Sequence, residues 1–118
     1  MAESEPLSIC VEHRGEIALV TVGGEVDFKT GPALKKTIDN VIGPAPTKLI
    51  IDLSEVTFMS SVGLAILAWT SERLGESAGF AVVATRLATM RPIHLTGLDQ
   101  LFSLCSTIDQ ALISVNNR

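Results

Sequence analysis

The sequence predicts a single α/β domain with a mixed, mainly parallel sheet of about five strands and about four helices. Three observations lead there. Short apolar runs with strand character alternate with stretches at helical spacing, in the order β-β-α-β-α-β-α-β-α, which implies right-handed crossovers and parallel strands. The 118 residues suit one domain, taken as 1–118 with a core at about 7–114, and suffice for a core without metal or disulfide staples. Hydrophobic residues make up 47% of the chain, too many for a disordered tail, while only five residues are aromatic. The core is therefore expected to be Val, Ile, Leu and Ala.

The elements follow in order. Leu7, Ile9, Val11 and His13 alternate with Ser8, Cys10 and Glu12, the period of a half-covered strand. Arg14-Gly15-Glu16 turns the chain into a second strand, Ile17 to Val22, and the pair reads as a hairpin. Gly23-Gly24 is expected to break that strand and leave Glu25-Val26-Asp27 as a short extended piece. Gly31-Pro32 opens a helix, because a proline's missing N–H has no partner in a first turn anyway. Thr30 stands near its N-cap, and Leu34, Ile38, Val41 and Ile42 recur at helical spacing. Gly43-Pro44-Ala45-Pro46 ends it. Lys48 to Leu53 is apolar and short, the signature of a buried central strand. Phe58-Met59-Ser60-Ser61 leads into a helix from about Val62 to Leu74, stopped by the polar stretch Gly75 to Gly79. Phe80 to Thr85 is a further strand. Thr89 to Thr96 forms a short helix around Pro92, closed by Gly97. Leu101 to Cys105 is the last strand, and Ser106 or Thr107 caps a final helix through Val115.

Charge and composition exclude several functions. Nine basic residues face thirteen acidic ones, a net charge of −4, and no basic cluster exceeds Lys35-Lys36. A nucleic-acid binder needs a basic stripe and stacking aromatics, so none is expected as a partner. The longest apolar run, Val62 to Trp69, has eight residues, against roughly 20 for a membrane span. Met1 to Pro6 is acidic and polar, unlike a secretory signal, so a cytoplasmic location is expected. Cys10 and Cys105 form no C-x-x-C and have no histidine at ligand spacing, so neither zinc nor thioredoxin chemistry is indicated. They read as two ordinary thiols, or as a redox pair if the fold brings them together. Without a Walker loop, G-x-G-x-x-G or paired carboxylates, no cofactor or metal is expected.

Candidate sites lie where strands feed helices, the usual place for function in α/β folds. One is Gly24 to Thr30; the other is Phe58 to Leu64. Ser60 or Ser61 can act as an N-cap, accepting a hydrogen bond from a free backbone N–H. Either can instead be a modified or anion-binding serine, since exposed N–H groups and the helix dipole favour negative charge there. A hydrolase elbow is excluded: Met59 occupies the first glycine position of G-x-S-x-G, and neither His13 nor His94 is placed as a base. The chain is not read as an enzyme. At about 100° per residue, Val62, Ala65 and Trp69 share the side of Glu72, Arg73 and Glu76, opposite Leu67 and Leu74. That apolar strip beside the serines is either a protein-binding surface or covered by another element. Asp27 can cap the turn before Gly31, and Asp52 can hydrogen-bond a neighbouring loop.

Together these residues resemble the anti-sigma factor antagonists, single-domain members of the STAS family. Ile17 to Val22, Gly24, Val26, Asp27, Thr30 and Leu34 are similar to the family's strand, G-x-L/V-D turn and helix start. KLIIDLSEVTFMSSVGL resembles the stretch in which a strand leads to F-x-D-S-S-G-L. Gly79 with FAVVAT, and Gly97-Leu98 with Leu101-Phe102, resemble its later strand and closing turn. The match covers about residues 7–114. It implies a STAS-like sheet with helices on one side. It implies a partner switch: the unphosphorylated antagonist binds an anti-sigma factor that is also a serine kinase, a sigma factor is released, phosphorylation breaks the complex, and a serine phosphatase resets it. The acceptor carried onto this chain is Ser61. Two departures stand out: Ser60 replaces the usual Asp, which offers Ser60 as a competing acceptor, and Val62 replaces the usual second serine. Asp27, Thr30, Ser60, Ser61, Val62, Ala65 and Trp69 are then the partner-binding residues. Rival readings are an interaction module without a phosphate switch, a nucleotide-binding STAS domain, and redox control through Cys10 and Cys105.

Overall fold

Leu49, Ile50 and Ile51 are successive in one strand and all fully buried. Successive strand side chains point to opposite faces, so neither face of the sheet's centre can meet water, and both must be covered. In a computed structural model, which describes residues 7–43, 48–76 and 78–117, this is how the chain folds. The elements are β1 Ser8–Arg14, β2 Ile17–Val26, α1 Gly31–Ile42, β3 Lys48–Met59, α2 Ser61–Leu74, β4 Gly79–Val83, α3 Leu87–Leu95, a 3-10 turn Leu98–Gln100, β5 Ser103–Cys105 and α4 Ile108–Asn116. The sheet order is β1-β2-β3-β4-β5. β1 is antiparallel to β2 and the other pairs are parallel, the mixed, mainly parallel sheet expected.

The larger core cluster joins Ala18, Val20 and Val22 of β2, Leu49, Ile51 and Leu53 of β3 and Val82 of β4 to buried residues of α1, α2 and α3. The alternate set, Ile17, Leu19, Ile50, Ala81 and Val83, packs on Ala111 and Val115 of α4. Helices therefore lie on both faces, which corrects the expectation of one side. The apolar run in β3 requires it. α1 buries Leu34, Ile38, Val41 and Ile42, the four residues its spacing selects. Thr107, not Ser106, caps α4, its hydroxyl accepting from the Gln110 amide at 3.1 Å.

Two strands run on beyond the sequence reading. Gly23-Gly24 does not break β2; the strand runs on to Val26. β3 continues past Leu53 to Met59. The reason is shared: the β2–β3 register shifts between Thr21 and Gly23 and again between Gly24 and Glu25. Each shift is a bulge with its extra residue on β3, and Gly24 takes φ 96°, in the left-handed region that favours glycine. Asp52 also does not reach a neighbouring loop. Its carboxylate accepts from the Ser54 amide (2.9 Å) and, at short range, from the Ser54 hydroxyl, bracing the first bulge within the same strand. The stop at Pro44 to Pro46 and the reading of Met1 to Pro6 lie outside the described residues.

Cys10 is exposed on β1 and Cys105 half-buried on β5, both as free thiols. These are the two edge strands. Four strand spacings, roughly 19 Å, separate them, whereas a disulfide needs Cα atoms within roughly 7 Å. A redox pair within one chain is thereby excluded. No described helix is long and apolar enough to cross a membrane.

The two-faced core gives a stability test. Ile50 is fully buried beneath α4, whereas Ile113 on the same helix is 63% exposed. Ile50→Ala is expected to cost about 2–5 kcal/mol and Ile113→Ala less than about 0.5 kcal/mol, read from urea unfolding midpoints.

Candidate functional site

The C-terminal ends of β2 and β3 converge on one corner. Glu25 pairs with Phe58 and Val26 with Met59. The next amide, that of Ser60, donates to the Val26 carbonyl at 2.9 Å. This bond places the turn after β2 beside the start of α2.

The turn is closed by Asp27 and Thr30. Asp27 Oδ1 accepts from the amides of Lys29 (2.9 Å) and Thr30 (3.0 Å). The Asp27 carbonyl accepts from the Gly31 amide at 2.7 Å. The Thr30 hydroxyl accepts from the Asp27 amide at 2.9 Å and lies 2.7 Å from the Glu25 carbonyl. Thr30 occupies the N-cap position of α1, yet its side chain makes no capping bond because it reaches back into the turn. The Thr30 amide is the largest cause holding the Asp27 carboxyl below its usual range, with further help from the Lys29 amide and the Thr30 hydroxyl. Both residues are half-buried.

The two serines differ. Ser60 is the N-cap of α2, in extended backbone, and its hydroxyl oxygen accepts from the Val62 amide at 3.1 Å. Its carbonyl accepts from the amides of Gly63 (3.0 Å) and Leu64 (3.3 Å). Ser61 is the first helical residue and is exposed. The capping role thus falls to Ser60, and the Ser61 hydroxyl is left facing solvent beside a helix N-terminus.

Below the serines the strip is partly covered. Ala65 is exposed, whereas Val62 and Trp69 are half-buried and packed against the larger core cluster. α1 does the covering. A Cβ built on Gly31 would come within 2.6 Å of Val62 Cγ1, so the two helix starts approach as only glycine allows. Lys35 Nζ stands 4.9 Å and Arg73 Cζ 5.5 Å from the centre of the Trp69 ring, within cation–π range. Glu72, Arg73 and Glu76 are exposed and Leu67 is buried, as the helical arithmetic requires.

Two residues that sequence reasoning passed over also stand out. Phe28, next to Asp27, is 72% exposed and Phe58, three residues before Ser61, is 49% exposed. Phe80, Phe102 and Trp69 supply the aromatic part of the core. Five aromatics with two in strand-to-helix turns was the available signal. Among the described residues no group of His, Cys, Asp and Glu could hold a metal ion. His94 Nδ1 instead lies 2.7 Å from Asp99, away from the serines in sequence and on α3.

The serines can be separated by stability. Ser60→Ala removes the cap and is expected to cost about 0.5–2 kcal/mol, whereas Ser61→Ala should change stability by less than about 0.5 kcal/mol; chemical denaturation distinguishes them. Asp27 gives a pH test. Its folded carboxyl ionises at lower pH than an unfolded aspartate, so its contribution is full above about pH 4 and lost as pH falls through the folded value. The stability deficit of Asp27→Ala against wild type is expected at neutral pH and should narrow on acidification below about pH 4, followed by thermal melts across that range.

Comparison with known proteins agrees with this fold. Residues 8–111 match the family described as the STAS domain. The chain is 46% identical over 115 residues to the anti-sigma-F factor antagonist RsfB of Mycobacterium tuberculosis, spanning 98% of this chain and 94% of RsfB. The crystal structure of an anti-sigma factor antagonist from Mycobacterium paratuberculosis is 49% identical and superposes with a TM-score of 0.91, over 97% of this chain and 99% of that one. SpoIIAA shares the fold: its unphosphorylated form gives a TM-score of 0.76 at 19% identity, over 94% of this chain and 98% of SpoIIAA. The phosphorylated form, from Bacillus, gives 0.68 at 18% identity, over 94% and 100%. The chain belongs to the STAS domain family, among its anti-sigma factor antagonists, and STAS domains are regulatory protein-interaction modules, not enzymes.

Proposed function

We propose that this chain, acting as one domain in the cytoplasm, is a partner switch whose acceptor residue is Ser61. In the unphosphorylated form it binds an anti-sigma factor that is a serine kinase, and a sigma factor is released. The kinase transfers the γ-phosphoryl group of ATP to Ser61 Oγ: the Oγ–P bond forms as the bond to the departing ADP breaks, the hydroxyl proton is lost to a base, and the complex then breaks. A serine phosphatase restores the binding form. The similarity to RsfB supports an anti-sigma factor of the anti-sigma-F kind as the target.

The observation that carries this reading is the division of labour between the serines. Ser60 Oγ is engaged with the Val62 amide, whereas Ser61 is exposed at the first helical position. A kinase needs an accessible hydroxyl, and Ser61 offers one. The site also tolerates the product. A phosphate there sits at a helix N-terminus, where the dipole and open N–H groups favour negative charge. Its effect falls on the partner. About −1.5 to −2 charges would appear beside Val62 and Ala65, at the upper end of the strip that leads down to Trp69, and burying them against a surface without matching cations is costly. Asp27 and Thr30 shape the adjoining turn, which the Ser60–Val26 bond ties to the same corner. No change in domain shape is required.

The test is binding to a purified serine-kinase anti-sigma factor, with phosphosite mapping by mass spectrometry on the reacted chain. Ser61→Ala should bind constitutively and take up no phosphate. Ser61→Glu should bind at least about tenfold more weakly, as expected for a charge buried without a partner. Phosphate on Ser60 would move the site by one residue. Equal binding by both variants, with no phosphate on either serine, would sink the switch and favour an interaction module without one.

A further inference from the structure

We propose that the groove between α1 and α2 takes an acidic segment of the anti-sigma factor, so that the switch surface extends along these helices. The inference rests on the partner reading above and names the chemistry of the contact.

α1 and α2 run side by side from the corner that carries Ser61. Gly31 approaches Val62 at the top, Lys35 stands over Trp69 further down, and Arg73 Nη1 meets Asp39 Oδ1 at 2.5 Å beyond that. Between them is an open groove of about 460 Å³ lined by Pro32, Lys35, Lys36, Asp39, Trp69 and Arg73. Its lining carries three cations and one carboxylate, a local balance of +2, on a chain whose net charge is −4. The one carboxylate is already paired with Arg73. Among the described residues neither Lys35 nor Lys36 has a carboxylate partner. The floor is the half-buried Trp69 ring.

Cations around an aromatic floor suit carboxylates presented on a chain with apolar side chains between them. Three cations are too few for a nucleic-acid backbone, and the rest of the chain supplies no stripe to continue them. The groove is continuous with the switch corner through Val62 and Ala65. Eight residues of helix, about 12 Å, separate Ser61 from Trp69. The screening length in physiological salt is about 8 Å. At that separation a phosphate on Ser61 is largely screened from charges held over Trp69, and it repels only the part of an acidic segment that reaches back over Val62 and Ala65 to the corner. Phosphorylation then acts at the corner, by desolvation and by repulsion of the segment's near end, while the groove supplies the attraction that holds the rest.

The probe is the anti-sigma-F factor that RsfB antagonises, purified and titrated against this chain at about 50 mM and about 500 mM salt. Lys35→Glu/Lys36→Glu should weaken binding about tenfold or more at low salt, mainly through the association rate, with the deficit shrinking to about twofold at high salt. Lys36→Glu alone, at an exposed position, should show part of the loss and guards against a misfolded double variant. Lys48→Glu, whose ammonium meets Asn116 away from the groove, should bind like wild type. Wild-type affinity for lysine-reversed chains, or an equal loss from Lys48→Glu, overturns the groove. So does self-association of the wild type that the lysine reversals abolish, which assigns the groove to a second copy. A chain that binds, loses binding on Ser61→Glu and ignores lysine reversal overturns this inference alone. A wild-type chain that does not bind the probe overturns the partner reading and this inference with it.

Discussion

The hydrogen bond from the Ser60 amide to the Val26 carbonyl fixes the corner that holds the candidate site. It extends the β2–β3 pairing one residue past Met59 and so sets where the chain leaves the sheet for α2. It satisfies a carbonyl at the end of β2 that would otherwise lie in the angle between two helix starts. With that exit fixed, the Asp27–Thr30 turn after one strand and the two serines after the other are neighbours, joined through the backbone. The turn closes on itself through Asp27 and Thr30, so α1 starts at a defined angle. Gly31 then lets α1 approach Val62. Corner, turn and helix pair are consequences of one strand register.

That register explains what the sequence disclosed and what it hid. Ala18, Val20, Val22 and Val26 of β2 keep one parity, and so the strand is legible over most of its length. β3 changes parity twice. Leu49, Ile51 and Leu53 face the α1–α2 layer, then Val56, then Met59. A strict alternation would have sent Glu55 and Thr57 inward. Reading by period two therefore loses the strand after Leu53, although the chain runs on, because each bulge flips the side chains once. The double glycine misleads for the same reason. Glycine marks a turn in isolation but marks a bulge when a partner strand with an extra residue lies beside it.

The candidate site was legible in kind and not in detail. A serine pair before an apolar helix identifies an N-terminus, but which serine caps depends on where the helix begins, and that is decided by the Ser60–Val26 bond between distant strands. The helical wheel correctly separates Leu67 from Glu72 and Arg73. It cannot show that α1 lies along Val62 and Trp69, because a wheel knows only its own axis. Likewise the apolar run of β3 implied burial on both faces, yet only the packing of Ala111 and Val115 identifies α4 as the cover of the second. The separation of Cys10 and Cys105 is a property of strand order, which spacing in sequence does not encode.

The neutral residue at the cap bears on how a phosphate would act. An aspartate at position 60 would accept from the Val62 amide as Ser60 does, and would carry a full charge next to the modified residue. At roughly 6 Å in water, a dianion and a carboxylate repel by about 1 kcal/mol. Ser60 keeps the capping bond and removes that repulsion. The helix dipole then favours a phosphate with no adjacent anion repelling it, and a modified domain would carry less internal repulsion than one with aspartate at the cap. A domain that accommodates its phosphate easily has little reason to refold around it. The signal must then be read by whatever surface is laid against the corner, where the same charge is no longer shared with water.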